Sequence, residues 1–199
     1  MPNPPTNRLD IFEKNQYNLE EAARKSRAWF SQQVLLLSKQ RISPNRIMAD
    51  GSESTLTPNI IPGNLYMYFY DPKLKQKLPY YDRFPMVLPF RKVEDGFIGL
   101  NLHYLPYQFR VILMRNLTSL ANNQKMDKTT RIKMSWQVLE NASKFNFAKP
   151  CVKQYLLAHV RSPFKLILPK DWGTAMMLPV ERFAKADKET VWKDSRKKI

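Results

Sequence analysis

The stretch from Ile61 to Leu120 constrains the possible folds more than any other part of the chain. Aromatic and aliphatic residues alternate there, and turns containing Pro, Gly or Asp interrupt them every few positions. This pattern is typical of short strands joined by tight corners. The stretch carries few of the side chains that catalysis usually needs. A compact aromatic β-unit in a basic chain therefore favours a binding or assembly protein over an enzyme.

Three strands are predicted within this stretch, over residues 64–70, 87–92 and 97–104. The last two are expected to form a hairpin, in which Asp95-Gly96 is a favourable turn pair. Prolines lie close to these strands and cannot donate a hydrogen bond to a sheet, which favours edge or bent strands. We therefore expect a small, strongly curved antiparallel barrel of the SH3-like type rather than a flat sheet.

Helical patterns flank the predicted barrel on both sides, so the expected fold class is α+β. Asn18 and Glu21 have the spacing of a capping box, and the helix that they begin is expected to end near residue 40, before Pro44. The regions predicted in chain order are an extended N-terminal arm (1–17), an amphipathic helix and linker (18–61), a small β-barrel (62–106), a helical region packed on the barrel (107–184) and a basic tail (185–199). Within the fourth region, helices are predicted at 107–121, 128–143 and 151–160, a strand at 164–168 and a helical turn at 171–177.

The apolar stripe of the N-terminal helix is a candidate contact for a partner protein. A Pro-rich arm precedes the helix, and such an arm loses conformational entropy when it becomes ordered, so binding to a partner explains it best. The candidate partner-binding residues are Trp29, Phe30, Val34 and Leu37.

The charge of the chain points to a polyanionic partner. There are 33 Lys and Arg against 17 Asp and Glu among 199 residues, which gives a formal net charge of +16 at pH 7. Residues 106–199 hold 19 of the basic and 7 of the acidic groups, so most of the excess lies in the C-terminal half. Nucleic acid is the commonest partner of such a chain. A ribosome, a membrane surface, or no specific ligand at all are the alternatives.

Three groups of basic residues are candidate phosphate contacts. The first is a protruding loop, the second is the start of a predicted helix, where the helix dipole also favours anions, and the third is near the C-terminus. No base-reading motif accompanies them, so contact with DNA is expected to be independent of sequence. The groups are Lys73, Lys75 and Lys77; then Lys125, Lys128, Arg131 and Lys133; then Arg182, Lys185, Lys188, Lys193, Arg196, Lys197 and Lys198.

The sequence contains no pattern that predicts catalysis, a metal site or a cofactor. It has no phosphate-binding glycine loop, and His103 and His159 are its only histidines. Asp71 and Asp82 are candidate carboxylates for a nuclease, but they fit an ordinary turn and a local ion pair better. His103 is expected to be a hydrogen-bonded structural residue. Cys151, the only cysteine, is expected to be a packed thiol in a reducing compartment.

Tyr66, Tyr68 and Tyr70 alternate along one predicted strand and so share one face. Such a row can stack the bases of a single strand, although the core of a barrel is its commoner use. No apolar run approaches the length of a membrane span, and the N-terminus matches neither a signal peptide nor a transit peptide. We therefore expect a soluble protein with no membrane partner.

Five segments have distinctive sequences: Trp29-Phe30, Pro62–Lys73, Leu78–Pro85, Gly96–Pro106 and Lys149–Leu156. They resemble the DNA end protectors, small basic virion proteins of T-even-like and cyanophage contractile-tailed phages, over about residues 20–184. The resemblance implies a non-enzymatic protein that binds the terminus of packaged double-stranded DNA, shields it from host exonucleases and stays in the virion near the head–tail axis. It also implies contacts with other virion proteins of the neck, tail or baseplate, and a stay in the host cytoplasm during assembly. The alternative is a structural subunit of the tail, neck or baseplate that does not protect DNA.

Overall fold

The structure is a computed structural model that describes residues 27–49, 55–111, 113–114, 139–140, 143–144 and 146–198. These residues combine helices with antiparallel sheet, as the α+β class predicts. The predicted N-terminal arm and nearly all of the helix predicted at 128–143 lie outside the described residues. The proposed division of the chain into five regions stays a prediction.

Most regular elements of the described residues are short. Besides the elements named below, residues 107–111 and 113–114 are helical, as predicted. The elements in chain order are α1 (Arg27–Lys39), α2 (Pro44–Ala49), β1 (Leu56–Thr57), β2 (Leu65–Met67), β3 (Tyr81–Asp82), β4 (Met86–Val93), β5 (Gly96–Asn101), a 3-10 turn (Leu102–Tyr104), a 3-10 helix (Asn146–Cys151), β6 (Val152–Leu156), a 3-10 turn (Leu157–His159), β7 (Phe164–Ile167), a 3-10 turn (Pro169–Asp171), α3 (Trp172–Met177), β8 (Phe183–Ala184) and α4 (Lys188–Arg196).

Six of the described strands form one antiparallel sheet in the order β1-β7-β2-β4-β5-β6. Its two outer strands, β1 and β6, are not paired with each other, so the sheet is not a closed barrel. The expectation of an SH3-like barrel is therefore not confirmed. One reason is that β1 has only two residues, both paired with β7, and is too short to close a sheet. The remaining strands, β3 and β8, form a separate two-stranded ribbon.

The six-stranded sheet is nevertheless strongly curled. Phe97 of β5 and Phe164 of β7 lie with ring centroids 6.1 Å apart, although β2 and β4 separate their strands. An irregularity in the pairing of β4 with β5, between Pro89 and Arg91, adds to the bend. Beyond the end of β2, Tyr70 forms an isolated antiparallel bridge with Val160, which connects the two sides of the curl.

Both faces of the curled sheet are buried, and side chains alternate between them along each strand. The concave face holds an aromatic cluster, and the convex face packs against helices and the chain that follows β5. The aromatic cluster comprises Tyr66, Tyr68, Tyr70, Val87, Phe97, Tyr155 and Phe164. The larger cluster on the other face includes Leu65, Met67, Met86, Leu88, Leu100, Trp172 and Met176.

Several sequence-based boundaries are wrong. The strand predicted at 97–104 ends at Asn101 and is followed by the Leu102–Tyr104 turn. The helix predicted at 151–160 is instead strand β6 followed by a 3-10 turn. β6 forms because it pairs along β5 and its Tyr155 fills the aromatic cluster, so tertiary packing overrides the local apolar pattern.

The hairpin between β4 and β5 is as predicted, but its turn is shorter. Val93 pairs with Gly96, which leaves Glu94 and Asp95 as the loop. Gly96 is therefore the first residue of β5 rather than a turn residue. A Cβ atom there would collide with the carbonyl oxygen of Tyr155, so the close approach of β6 requires glycine.

The C-terminal segment contains a packed helix rather than a tail. Asp187 caps α4, because its side chain accepts a hydrogen bond of 2.8 Å from the Thr190 N–H. Val191 and Ser195 on the inner side of α4 are buried. The exposed basic residues Lys193 and Arg196 thus belong to an ordered helix.

Candidate nucleic-acid interface

The β3–β8 ribbon brings together two basic groups that are far apart in the sequence. Asp82 pairs with Phe183, and Tyr81 pairs with Ala184. Lys185 follows this ribbon, and its ammonium group donates to the carbonyl oxygens of Lys75, Gln76 and Leu78 at 2.7, 3.0 and 3.0 Å. Lys185 of the third predicted group therefore lies directly against the loop of the first.

The loop that carries Lys73, Lys75 and Lys77 is a single helical turn. The Lys75 N–H donates to the Pro72 carbonyl, and the Leu78 N–H donates to the Leu74 carbonyl. The carbonyl groups at the end of such a turn have no partner within it. The ammonium group of Lys185 supplies that partner and so stabilises the conformation of the loop.

The three lysines of the loop differ in their partners. Lys75 lies 3.0 Å from both carboxylate oxygens of Asp71, and the hydrogen bond that it donates lowers the pKa of that carboxyl. Lys73 and Lys77 are exposed, and neither forms an ion pair with a carboxylate of the described residues. They are therefore the two loop lysines whose charge is free to meet a phosphate.

Two arginines extend this basic surface. The Arg83 N–H donates to the Arg182 carbonyl at 2.8 Å, and both side chains are exposed. Arg182 was among the predicted phosphate contacts, whereas Arg83 was not. Nothing in the sequence signals that these two residues meet, because β3 and β8 have two residues each and are about a hundred positions apart. We call Lys73, Lys77, Arg83, Arg182 and Lys185 the ribbon surface.

The side chain of Asp82 joins the ribbon to the six-stranded sheet. It is buried, and its carboxylate lies 2.7 Å from Nδ1 of His103 and 3.1 Å from the amide nitrogen of Asn101. It also accepts hydrogen bonds from the main-chain N–H groups of Phe84 (3.0 Å) and Arg182 (3.4 Å). Asp82 thus connects β3, β5 and β8 through one side chain.

The electrostatics of Asp82 agree with a structural role. Burial alone would raise the pKa of its carboxyl, but the charge of His103 and the hydrogen bonds from His103, Asn101 and Phe84 outweigh burial and lower it. The carboxylate is therefore ionised and fully occupied. This confirms His103 as a hydrogen-bonded structural histidine. Because Asp82 is buried and its oxygens are occupied, it cannot contact a substrate. It therefore cannot act with Asp71 as the carboxylate pair that was considered for a nuclease.

A second buried network joins α4 to the rest of the fold. Arg110 Nη2 lies 2.6 Å from Glu181 Oε1, and both side chains are buried. Its guanidinium also donates to the Leu105 carbonyl at 2.7 Å and lies 4.5 Å from the centre of the Tyr107 ring. Trp192 of α4 donates from its indole N–H to the His103 carbonyl at 2.8 Å. The position of α4 is therefore fixed by polar as well as apolar contacts.

The remaining C-terminal basic residues lie along α4 and just after it. Lys193, Arg196, Lys197 and Lys198 are exposed, and Lys197 pairs with Asp194 at 3.2 Å. Burial, followed by the charge of Asp194 on α4, raises the pKa of Tyr80. These basic residues therefore form a further exposed basic stretch along α4 and just after it.

Lys153 of β6 is a basic group in a different environment. Its ammonium lies 4.2 Å from the centre of the Tyr104 ring. Burial, with a smaller contribution from the charge of Lys198, lowers its pKa to about 8. The cost of burying this charge explains why Lys153 is a weaker cation than the surface lysines.

The comparison with protein families agrees with this surface. A family model described as "Phage T4 terminal DNA protecting protein" matches residues 15–195. The chain belongs to this family. The predicted relationship to DNA end protectors is thereby confirmed. No curated protein and no solved structure matches the chain.

Other candidate sites in this member of the terminal DNA protecting family are either buried in the core or outside the described residues. Tyr66, Tyr68 and Tyr70 are buried in the aromatic cluster, so they form a core and do not stack bases. Cys151 is buried, and burial raises the pKa of its thiol to about 12, which confirms the packed thiol. The second basic group, Lys125, Lys128, Arg131 and Lys133, lies outside the described residues.

Three of the four candidate partner contacts on α1 pack within the chain. Phe30 is buried against Tyr107 and Met177, and Val34 and Leu37 pack on the same cluster. The side chain of Trp29 is outside the described residues. Among the side chains of α1 that the structure describes, the exposed large apolar ones are Leu35 and Leu36, at 55% and 48%. The prediction that α1 contacts another protein stays a prediction, and these two leucines are better candidates for it.

No metal-binding group of three or more His, Cys, Asp or Glu residues occurs among the residues that the structure describes. None of the described helices is long and apolar enough to cross a membrane.

Proposed function

We propose that this protein binds the ends of packaged double-stranded DNA without sequence specificity and shields them from exonucleases. Membership of the terminal DNA protecting family supports end protection as the general role. The observation that carries the proposal to specific residues is the ribbon surface. Its Lys73, Lys77, Arg83 and Arg182 are exposed and form no ion pair with a carboxylate of the described residues, and Lys185 joins the lysine loop to the ribbon.

The chemistry of this surface suits phosphates rather than bases. Lysine and arginine neutralise backbone phosphates, which fixes a protein on the duplex but carries no sequence information. Reading the bases needs a helix or ribbon that enters a groove with side chains matched to base edges. The ribbon surface offers two-residue strands and a single loop turn. It therefore supports binding that depends on charge and on the geometry of the DNA end.

A protein with this role works inside the virion, and we place it near the head–tail axis, where the terminus of the packaged genome lies. It acts in the host cytoplasm during assembly, before the particle is complete. Other virion proteins of the neck, tail or baseplate are its expected neighbours.

The test is a titration of the purified full-length protein against linear duplexes of unrelated sequence at several salt concentrations. The affinity is expected to be equal for these sequences and to fall with salt, with a log–log slope of about −0.9 for each phosphate neutralised. The same mixtures are then treated with an exonuclease, and the ends of bound DNA are expected to survive. A slope near zero, or ends that are digested at full occupancy, would contradict the proposal.

A second function is favoured by one observation. Leu35 and Leu36 are large apolar residues that α1 exposes side by side, as expected of a helix that contacts a neighbouring subunit. The alternative is therefore a structural subunit of the tail, neck or baseplate that does not protect DNA. The Leu35→Gln/Leu36→Gln variant is expected to bind DNA normally but to join particles poorly if this contact exists. If Lys73→Gln/Lys77→Gln leaves end protection and phage yield unchanged, the structural function is the better explanation.

A further inference from the structure

The ribbon surface contains one arrangement that charge alone does not explain. Arg83 and Arg182 are joined through their main chains by a 2.8 Å hydrogen bond, immediately beyond the Asp82–Phe183 pair of the ribbon. Both side chains are exposed. An arginine side chain is long, so two guanidinium groups that start from adjacent main chains can reach a single anion.

This pair of arginines is not neutralised by the protein. Like charges on adjacent strands repel each other and destabilise the pairing. Neither guanidinium forms an ion pair with a carboxylate of the described residues. The carboxylates next to them in the sequence, Asp82 and Glu181, are both buried. Asp82 is occupied by His103, Asn101 and main-chain N–H groups, and Glu181 pairs with Arg110. An external anion would remove the repulsion.

The pair is also held in place before any ligand arrives. The buried carboxylate of Asp82 accepts hydrogen bonds from the N–H of Arg182, at 3.4 Å, and from the N–H of Phe84, at 3.0 Å. These bonds fix the main chain on both sides of the arginine pair. A site whose backbone is already ordered loses less entropy on binding.

We propose that Arg83 and Arg182 together bind a phosphate monoester at a DNA strand end. The inference rests on the proposed function and adds the chemical group that marks an end. A terminal monophosphate carries about −1.5 to −2 charges at neutral pH and presents three oxygens. A phosphodiester within the strand carries a single charge. Each guanidinium offers a planar pair of donors that fits two phosphate oxygens. Two of them match the charge of the monoester and supply enough donors for all three of its oxygens.

The experiment compares three versions of one duplex, labelled internally, with the full-length protein. One version carries 5′-phosphates, one carries 3′-phosphates, and one carries only hydroxyl groups at its ends. Charge-assisted hydrogen bonds of this kind correspond to about a tenfold difference in affinity. The wild-type protein is expected to prefer a phosphate-bearing end by about this factor. The version that it prefers identifies which strand end is bound.

The variant Arg83→Gln/Arg182→Gln is expected to bind all three duplexes equally. Because both side chains are exposed and their removal relieves the repulsion between like charges, its thermal midpoint should be equal to or higher than that of the wild type. Arg83→Lys/Arg182→Lys keeps the charge but loses the planar donors, so it is expected to retain only part of the preference. The control Lys39→Gln/Arg46→Gln removes the same charge from exposed positions on α1 and α2 and should keep the full preference.

The inference is overturned if the wild type binds all three ends equally, or if the preference survives in Arg83→Gln/Arg182→Gln. Failure of the proposed function has a different outcome, namely no binding of any duplex by the wild type. In that case inorganic phosphate is titrated into the protein and followed by NMR. Chemical-shift changes that vanish in the double glutamine variant would keep the arginine pair as a phosphate site, and their absence in the wild type would refute it.

Discussion

Arg110 and the Arg83–Arg182 pair contain the same side chain in opposite environments. Arg110 is buried, pairs with Glu181 at 2.6 Å and donates to main-chain carbonyls. Arg83 and Arg182 are exposed and have no carboxylate partner among the described residues. The first region uses its charge to join elements of the fold, and the second keeps its charge available for a ligand.

The difference shows how one basic chain can be both stable and ready to bind an anion. A buried charge is tolerated only with a partner. In the interior, Arg110 therefore pairs with Glu181, and Asp82 pairs with His103. An exposed lysine or arginine is solvated and needs none. The excess of positive charge therefore accumulates on the surface, where the ribbon and the lysine loop concentrate it. Mutations in the two regions should accordingly affect different properties.

The largest expected effect is on stability, from Arg110→Met. This change leaves Glu181 buried without a charge partner, which should lower the free energy of unfolding by about 3–5 kcal/mol. Urea denaturation measures it. In the double variant Arg110→Met/Glu181→Gln the orphaned charge is gone, so much of the loss should be recovered. A double variant as unstable as the single one would show that the pair itself is not the cause.

The next effect concerns Asp82 and depends on pH. Asp82→Asn weakens the hydrogen bonds to His103 and Arg182 and should cost about 1–3 kcal/mol at pH 7. The folded-state pKa of Asp82 lies below its unfolded value of about 3.9. Its contribution is therefore complete above that value and is lost as the pH falls through the folded pKa.

Urea denaturation across the acid range checks this prediction. The difference in stability between the wild type and Asp82→Asn should be constant above about pH 5 and should shrink below pH 4. A difference that grows as the pH falls would show that Asp82 is protonated in the native state. The buried ionised carboxylate would then be excluded.

A smaller effect is expected for DNA binding by Lys73→Gln/Lys77→Gln. If each lysine neutralises one phosphate, the salt slope should become less steep by about 1.8, whatever the sequence of the duplex. Folding should be unaffected, since both side chains are exposed. The matched control is Lys39→Gln/Arg46→Gln, which should keep the wild-type slope. Equal changes in both variants would mean that net charge, and not the ribbon surface, governs binding.

The smallest effect is expected for Lys75→Gln. Its ion pair with Asp71 is exposed, with side chains that are 43% and 40% accessible, so its loss should leave the free energy of unfolding almost unchanged. Because Lys75 is already paired, its removal should change the salt slope less than removal of Lys73. If Lys75→Gln weakens binding as much as Lys73→Gln does, the pairing with Asp71 does not persist in the complex.

The sequence predicts the parts of this fold that depend on local patterns. Alternation identifies β4 and β5, and burial of the tyrosine row follows from its aromatic character. Features that depend on distant pairing are missed. The sequence of β6 has a helical pattern, and only its pairing with β5 shows that it is a strand. The sequence of the C-terminal segment is typical of a charged tail, although Val191 is buried in the structure. The basic loop at Lys73 is visible in the sequence, whereas the meeting of Arg83 with Arg182 is not, because a two-residue strand leaves no pattern.

The ribbon joins segments that are far apart in the chain, and this determines when it can form during folding and synthesis. The Arg182 N–H and the Asp82 carboxylate are joined across 100 positions of the chain. Closing so long a loop costs conformational entropy before any contact compensates it, so such contacts form late in folding. A chain still being synthesised lacks residue 182 and cannot assemble the arginine pair. The ribbon surface, which is the proposed site for DNA, therefore forms only after residue 182 has been synthesised, so a shorter nascent chain lacks this site.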